Sequence, residues 1–573
     1  MLLCGLALAT TDFDPTATPT TYTGAETYLQ DGTVKLWGQV ELHTDGDRTL
    51  FKQEQFNGAL KWQDAAWSPW IASMFGDPTP HSSMFLLHVA QTEPLSAGTP
   101  VLFVPGAGDN GSRGFITMAT RMANAQRPVF VLTFAHPHGD AYMQAEVVAD
   151  AIARITERRG VDQVDVVAHS KGGISAAIYA SNHAGASWNH SAYDSVGTTY
   201  ADDIRRLVLI ATPLDGVDTA YRWSANNFFS MDAAAAVSPS SWSAYYPYTT
   251  GNQVVVTDMS AQDLLSDGDG DLFPGQRQML RRQDPDLPGA QPWLGVYSAQ
   301  QDWYTTYEGG WGYYSWSEGI DAAIADGGFV LDRLADNGVD PDVEIYLLAG
   351  DNPLLHNGAE YQLVQAFGES WVDQVTAGTD AWADLLAAVV DNSLSDWGFA
   401  QDEVRGLAQG KLILGEITGP SDGLVFTTSA THADALTARG AVVQDTYVAN
   451  LAHLDLLYAS PITGQILIDA GEADPTEDGW MRAVGQRYVD ADTLGWLEQV
   501  LADPAGPGDS GDTGDTGVVD DTGADDTGDT DRGPLDGDGG WAANCDGCAG
   551  APGAPAGWLL VLAGAALLRR RQD

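Results

Sequence analysis

Short apolar-rich runs, each closed by glycine, proline or a polar cluster, punctuate the chain and predict buried strands. They are Val101 to Val104, Val129 to Phe134, Val164 to Ala168, Ile204 to Ala211 and Val343 to Ala349, followed by the more mixed Ala441 to Ala449. Helical spacing fills the gaps. Ala141 to Arg158 predicts a long helix, and the small residues from Gly172 onward, with Ile174, Ala177 and Ile178 among them, predict another. This strand and helix alternation specifies an α/β fold with a mostly parallel, doubly wound sheet and right-handed crossovers. Ahead of it, residues 20–95 alternate in polarity, with Val34 and Leu36 against Lys35, and Val40 and Leu42 against Glu41. That period predicts antiparallel strands. Trp37, Trp62, Trp67 and Trp70 supply aromatic core, and Met84 to Val89 is expected to open the main sheet.

The alternation breaks twice. Residues 221–340 are aromatic-rich, with Trp223, Phe228, Phe229, Trp242, Trp303, Trp311 and Trp316 among them, and read as an inserted cap or lid over the sheet. A polar helical excursion is expected from about 357 to 408. The resulting division is a candidate signal segment at 1–12, a β-rich leading segment at 13–95, a core in two parts at 96–220 and 341–500 around the cap at 221–340, an Asp/Thr/Gly-rich linker at 501–544 and a terminal segment at 545–573.

The net charge of −51 narrows the range of partners. Residues 503–573 hold 14 acids and 4 arginines, which leaves about −41 on the rest of the chain. Such a surface repels nucleic acid phosphates. The 3 cysteines, Cys4, Cys545 and Cys548, all lie outside the presumed core, so the core has neither a disulfide framework nor a thiol nucleophile. One C-x-x-C pair is poor evidence for zinc. His136 and His138 lack a third ligand at metal spacing and read as a substrate-rim loop. Asp267, Asp269 and Asp271 in S-D-G-D-G-D-L could hold calcium, yet they lack the EF-hand glycine and the closing glutamate, so a polar turn is the expectation.

The chemistry centres on V-D-V-V-A-H-S-K-G-G-I-S, where Ser170 stands between a strand and a helix, with the small residues Ala168 and Gly172 two positions to either side. A sharp strand-to-helix turn pushes its central side chain outward and aims the helix N-terminus at any oxyanion formed beside it. A serine in an ordinary turn is the simpler alternative. The elbow, the loop P-G-A-G-D-N-G after the Val101 strand, A-T-P-L-D-G-V-D after the Ile204 strand and S-D-G-L-V at 421–425 resemble the α/β-hydrolases, and most closely the exported triacylglycerol lipases and carboxylesterases. The resemblance covers roughly residues 95–470, with alanine replacing the first glycine of the elbow and Pro105-Gly106-Ala107 replacing the usual H-G-x.

That resemblance implies an α/β-hydrolase fold and a triad in the order Ser170, Asp422, His453, with Asp351 in A-G-D-N-P as the rival acid. It implies oxyanion donors at the backbone N–H of Ala107, or else Gly108, and of Lys171, whose ammonium is expected to be a bystander. Carboxylic ester hydrolysis is the expected activity, on lipid esters in particular, with no cofactor. An acyltransferase or amidase with the same residues is an alternative, and so is a surface-anchored binding protein on an inactive scaffold. At the end of the chain, the acidic linker, Cys545 and Cys548, the apolar run at 557–568 and Arg569 to Arg571 resemble the myxobacterial-type C-terminal sorting segment. It implies export, contact with sorting machinery and attachment to the membrane or cell surface.

Overall fold

A computed structural model describes residues 13–23, 36–45, 73–76, most of 80–218, 320–351, most of 420–457 and 493–503, with short segments between them. The candidate signal segment, Trp62, Trp67, Trp70, His138, Asp267, Asp269, Asp271, the 357–408 excursion, most of the linker and the terminal segment lie outside the described residues. Among the described residues no helix is long and apolar enough to cross a membrane.

Nine strands form one sheet: β1 (Thr20–Thr23), β2 (Trp37–Thr44), β3 (Met84–Ala90), β4 (Val101–Val104), β5 (Val129–Phe134), β6 (Val164–His169), β7 (Ile204–Ile210), β8 (Glu344–Gly350) and β9 (Val442–Ala449). Their spatial order is β1-β2-β3-β5-β4-β6-β7-β8-β9. The six strands from β5 to β9 run parallel, and β3, β2 and β1 add antiparallel neighbours on one side. The sheet therefore extends two strands beyond the one expected to open it.

Alternate residues of each strand enter different cores, as a sheet covered on both faces requires. From β4 and β6, Leu102, Val104, Val164, Val166 and Ala168 join one apolar cluster, while Val101, Phe103 and Val167 join the other. The first face is covered by α2 (Ala141–Arg159) and α3 (Lys171–Ser181), the second by α1 (Ile116–Asn124) and by the helix Thr493–Val500. Local signals set the ends of α2. Asp140 caps it by accepting from Tyr142 N and Met143 N at 2.8 and 3.2 Å, and Gly160 closes it in the left-handed region at φ 63°.

Glu41 is not outward-facing. It is buried on β2, where its carboxylate accepts from Arg154 Nε at 2.9 Å, Arg158 at 3.0 Å and His43 Nε2 at 3.0 Å. Burial alone would raise its pKa, but the bonds from His43 and Arg154 outweigh that and bring it down to about 2. Leu42 beside it is only partly buried. The antiparallel strands expected here are present, and the arginine partners of Glu41 come from α2, more than a hundred residues later.

A second charge cluster closes the opposite end of the sheet from Ser170. Asp165 at the start of β6 accepts from Arg127 at 2.8 Å and from Arg205 Nε at 2.8 Å. Arg205 also pairs with Asp503 at 2.7 Å, Thr99 Oγ1 donates to Asp503 at 3.1 Å, and Arg127 and Arg206 bond the carbonyls of Leu501 and Ala502. From the expected cap, a four-stranded sheet is described in the order Gly310–Trp311, Ser315–Ser317, Gln253–Asp258, Tyr245–Thr250. Residues 274–283 reach the core, where Gln278 donates to Asp140 Oδ2 at 2.6 Å and accepts from Ala141 N at 2.7 Å.

Candidate active site

Ser170 occupies the single residue between β6 and α3, at φ 51° and ψ −128°. A non-glycine residue in this region stores about 1–3 kcal/mol of strain and persists only where its surroundings hold it. The hold is visible: Ser170 N–H donates to Ile210 O of β7 at 2.8 Å, and Ser170 O accepts from Gly173 N at 2.9 Å. Gly172 lets the turn close, since a Cβ there would stand 2.3 Å from the Pro105 carbonyl. The same tight packing brings the Pro105-Gly106-Ala107 loop against the serine. A Cβ on Gly106 would lie 3.1 Å from Ser170 Cβ.

Asp422 and His453 meet at the end of β8. His453 Nδ1 lies 2.7 Å from Asp422 Oδ2, with both side chains almost fully buried. The other carboxylate oxygen, Oδ1, accepts from Leu424 N at 2.9 Å and Val425 N at 2.7 Å. Two backbone donors on Oδ1 leave Oδ2 for the imidazole. The main chain repeats the link, with His453 N–H donating to Asp422 O at 2.9 Å. Gly350 makes room for this junction. A Cβ on it would stand 2.3 Å from Leu451 O and 2.7 Å from Asp422 Cβ. Asp351, the rival acid, is exposed, and its N–H donates to Ala449 O at 3.1 Å.

His453 is brought to the elbow through the residue before the serine. The His169 and His453 rings are 4.6 Å apart between centroids at 48°, and His169 Nε2 lies 3.3 Å from His453 O. His169 is buried, and burial pushes its pKa well below the usual value, with neighbouring His453 pushing the same way.

Of the two residues nominated as oxyanion donors, Lys171 directly follows Ser170 and Ala107 follows Gly106, the residue packed against the serine. Ala107 sits half-buried in the turn after β4, where Asp109 N–H closes back on Gly106 O at 3.3 Å. Asp109 in turn accepts from Asn110 N at 2.8 Å and Gly114 N at 3.1 Å, which stiffens the loop. Lys171 begins α3, where backbone N–H groups point out of the helix. Gly108 lies outside the described residues. The Lys171 side chain turns inward. It is buried and bonds Gln144 Oε1 of α2, while Gln144 Nε2 donates to His136 O at 3.0 Å. His136 thus serves this site through its carbonyl. No metal-holding cluster of His, Cys, Asp or Glu occurs among the described residues.

A mostly parallel sheet under helices on both faces, a positive-φ serine between its strand and helix, and a histidine-carboxylate pair following later strands decide the architecture. This is the α/β-hydrolase fold. Solved structures similar to this hydrolase fold include the mature form of a Bacillus licheniformis lipase, at 13% identity over 65% of this chain and 90% of that one, with a TM-score of 0.28. A gene product of Listeria innocua matches at 13% identity over 66% of this chain and 97% of that one, TM-score 0.27. A thermostable carboxyl esterase of Bacillus coagulans, in complex with glycerol, matches at 12% identity over 47% of this chain and 76% of that one, TM-score 0.24. No family model and no curated protein matches the chain.

Sequence reasoning missed His169, Gly350, Gln144 and Asp140. The glycine of A-G-D-N-P at a strand end was a usable signal for Gly350, because a glycine there marks close backbone approach. Nothing local marks Gln144, whose partner lies on another helix.

Proposed function

We propose that the chain is a serine hydrolase of carboxylic esters, lipid esters above all, acting through an acyl-enzyme on Ser170. The observation that carries this reading is the buried 2.7 Å contact between His453 Nδ1 and Asp422 Oδ2, on a loop packed against the strained serine turn. With Nδ1 committed to Asp422, His453 offers Nε2 as the base that takes the Ser170 proton as Oγ attacks the ester carbonyl. Asp422 balances the imidazolium that forms. The N–H groups of Ala107 and Lys171 receive the oxyanion, in the place where preorganised donors act most strongly. His453 then returns the proton to the leaving alcohol, and water releases the acid by the same steps in reverse.

The lipid preference is supported by the aromatic content of residues 221–340, an apolar cap being suited to acyl chains. Export and attachment through residues 545–573 complete the proposal, supported by the order of parts in that segment. The test is labelling with a fluorophosphonate, followed by hydrolysis of p-nitrophenyl esters of increasing chain length. Labelling at Ser170, its loss in Ser170→Ala and faster turnover of long chains are the expected results. A folded protein that does not label ends the hydrolase reading, and a short-chain optimum removes the lipid preference. Transfer to added alcohols in place of water would make it an acyltransferase.

A further inference from the structure

We propose that His169 is a positioning residue that fixes the base His453 to the nucleophile strand. The inference rests on the reading of Ser170, Asp422 and His453 given above. Three of the contacts that hold His453 are those of its N–H with Asp422 O at 2.9 Å, its Nδ1 with Asp422 Oδ2 at 2.7 Å, and its carbonyl with His169 Nε2 at 3.3 Å. Two of these bind it to the acid. The third ties it to the strand that carries Ser170.

The geometry assigns His169 its tautomer. A carbonyl accepts, so Nε2 carries the proton and Nδ1 is bare. Among the described residues Nδ1 has no hydrogen-bond partner, and it is enclosed beside Gly106, where an added Cβ would stand 3.0 Å away. A buried nitrogen without a donor would accept a proton if the ring could charge. Enclosure opposes that charge, so the ring stays neutral beside a base that becomes cationic during turnover. The neutral ring, 4.6 Å from the His453 ring, places no second positive charge beside that cation. Phe115 packs edge-on against the other side of His169, at 6.3 Å and 89°, and keeps the ring from turning.

The test compares His169→Gln, whose amide N–H reaches the position of Nε2, with His169→Phe, which keeps a ring and removes the donor, and with His169→Asn, whose amide stops short. Turnover of a p-nitrophenyl ester, fluorophosphonate labelling rate and the downfield proton resonance of His453 Nδ1 are measured in full-length protein, with thermal melts as a check on folding. His169→Phe is expected to lower kcat and the labelling rate by about 10- to 100-fold with KM held, as misplacement of reacting groups does. His169→Gln should restore most of the loss. The downfield resonance should persist in both, because the contact with Asp422 is not touched. Full activity in a folded His169→Phe overturns the proposal, and so does a Gln variant no better than Phe. If His169→Phe does not fold, Gln and Asn decide, and equal activity of the two overturns it. A wild-type protein that fails to label removes the function reading instead, before any variant is compared.

Discussion

Replacing Asp422 by asparagine changes one atom, and the structure dictates which way the amide must turn. Oδ1 accepts from both Leu424 N and Val425 N. An NH2 group placed there would face two donors at hydrogen-bond distance, leaving all three unsatisfied at roughly 1–3 kcal/mol each. The asparagine carbonyl therefore takes the Oδ1 position and its NH2 faces His453 Nδ1. A donor opposite Nδ1 makes that nitrogen the acceptor and moves the ring proton to Nε2. His453 then presents an N–H to Ser170 where it needs a lone pair. The wrong tautomer lowers kcat about 10⁴-fold in serine enzymes of this kind, equivalent to about 5 kcal/mol of transition-state stabilisation. Steady-state hydrolysis of a p-nitrophenyl ester and the rate of fluorophosphonate labelling should fall together, while the thermal midpoint moves little because the residue keeps its shape. Asp351→Asn, at the exposed strand end, should stay within a few-fold of wild type. An Asp422→Asn enzyme within about 10-fold of wild type, or equal losses at both aspartates, would refute the reasoning.

Lys171→Met should lower stability by about 1–3 kcal/mol, because Gln144 Oε1 loses its charged donor; labelling per folded molecule should stay near wild type, and its loss would show that the ammonium takes part in chemistry. Gly350→Ala forces a Cβ against the Leu451 carbonyl, a backbone atom that cannot swing away, so a melt should show about 1–3 kcal/mol of destabilisation together with reduced kcat. Unchanged kcat there would mean that the Asp422 junction tolerates displacement. Glu41, with its pKa brought down from about 4.5 to about 2, adds stability that is present above pH 4.5 and lost as pH falls toward 2, on the order of 2 kcal/mol after solvent screening. His88, buried neutral with its pKa lowered to about 3, adds stability present above about pH 6.5 and lost as pH falls toward 3. Urea midpoints should therefore drop in two stages on acidification, and Glu41→Gln should flatten the lower one; an unchanged slope below pH 4.5 would count against the Glu41 cluster.

The parallel half of the sheet was legible because β4, β5, β6 and β7 are rich in apolar residues buried on both faces, with Asp165, Arg205 and Arg206 interrupting β6 and β7 only near their starts. The serine turn was legible for a related reason: its neighbours must be small wherever chains approach closely. The burial of Glu41 was not legible, because its arginine partners arrive from a distant helix. Lys171 escaped in the same way. Periodicity says which side a residue faces, but not that Gln144 waits there. His169 was quoted only as part of a motif, since its partner is the carbonyl of a residue 284 positions away.

The clamp of Arg127, Arg205 and Arg206 on residues 501–503 sets how the molecule bears a load. A pull on the 70 residues that follow Asp503 enters at the starts of β4, β6 and β7, the edge remote from Ser170. The ion pairs there take the strain first, then the rows of hydrogen bonds between parallel strands, while the loops carrying Ser170, Asp422 and His453 lie off the line of force. Force applied through residues 504–573 would loosen the starts of β4, β6 and β7 before it disturbed the serine turn.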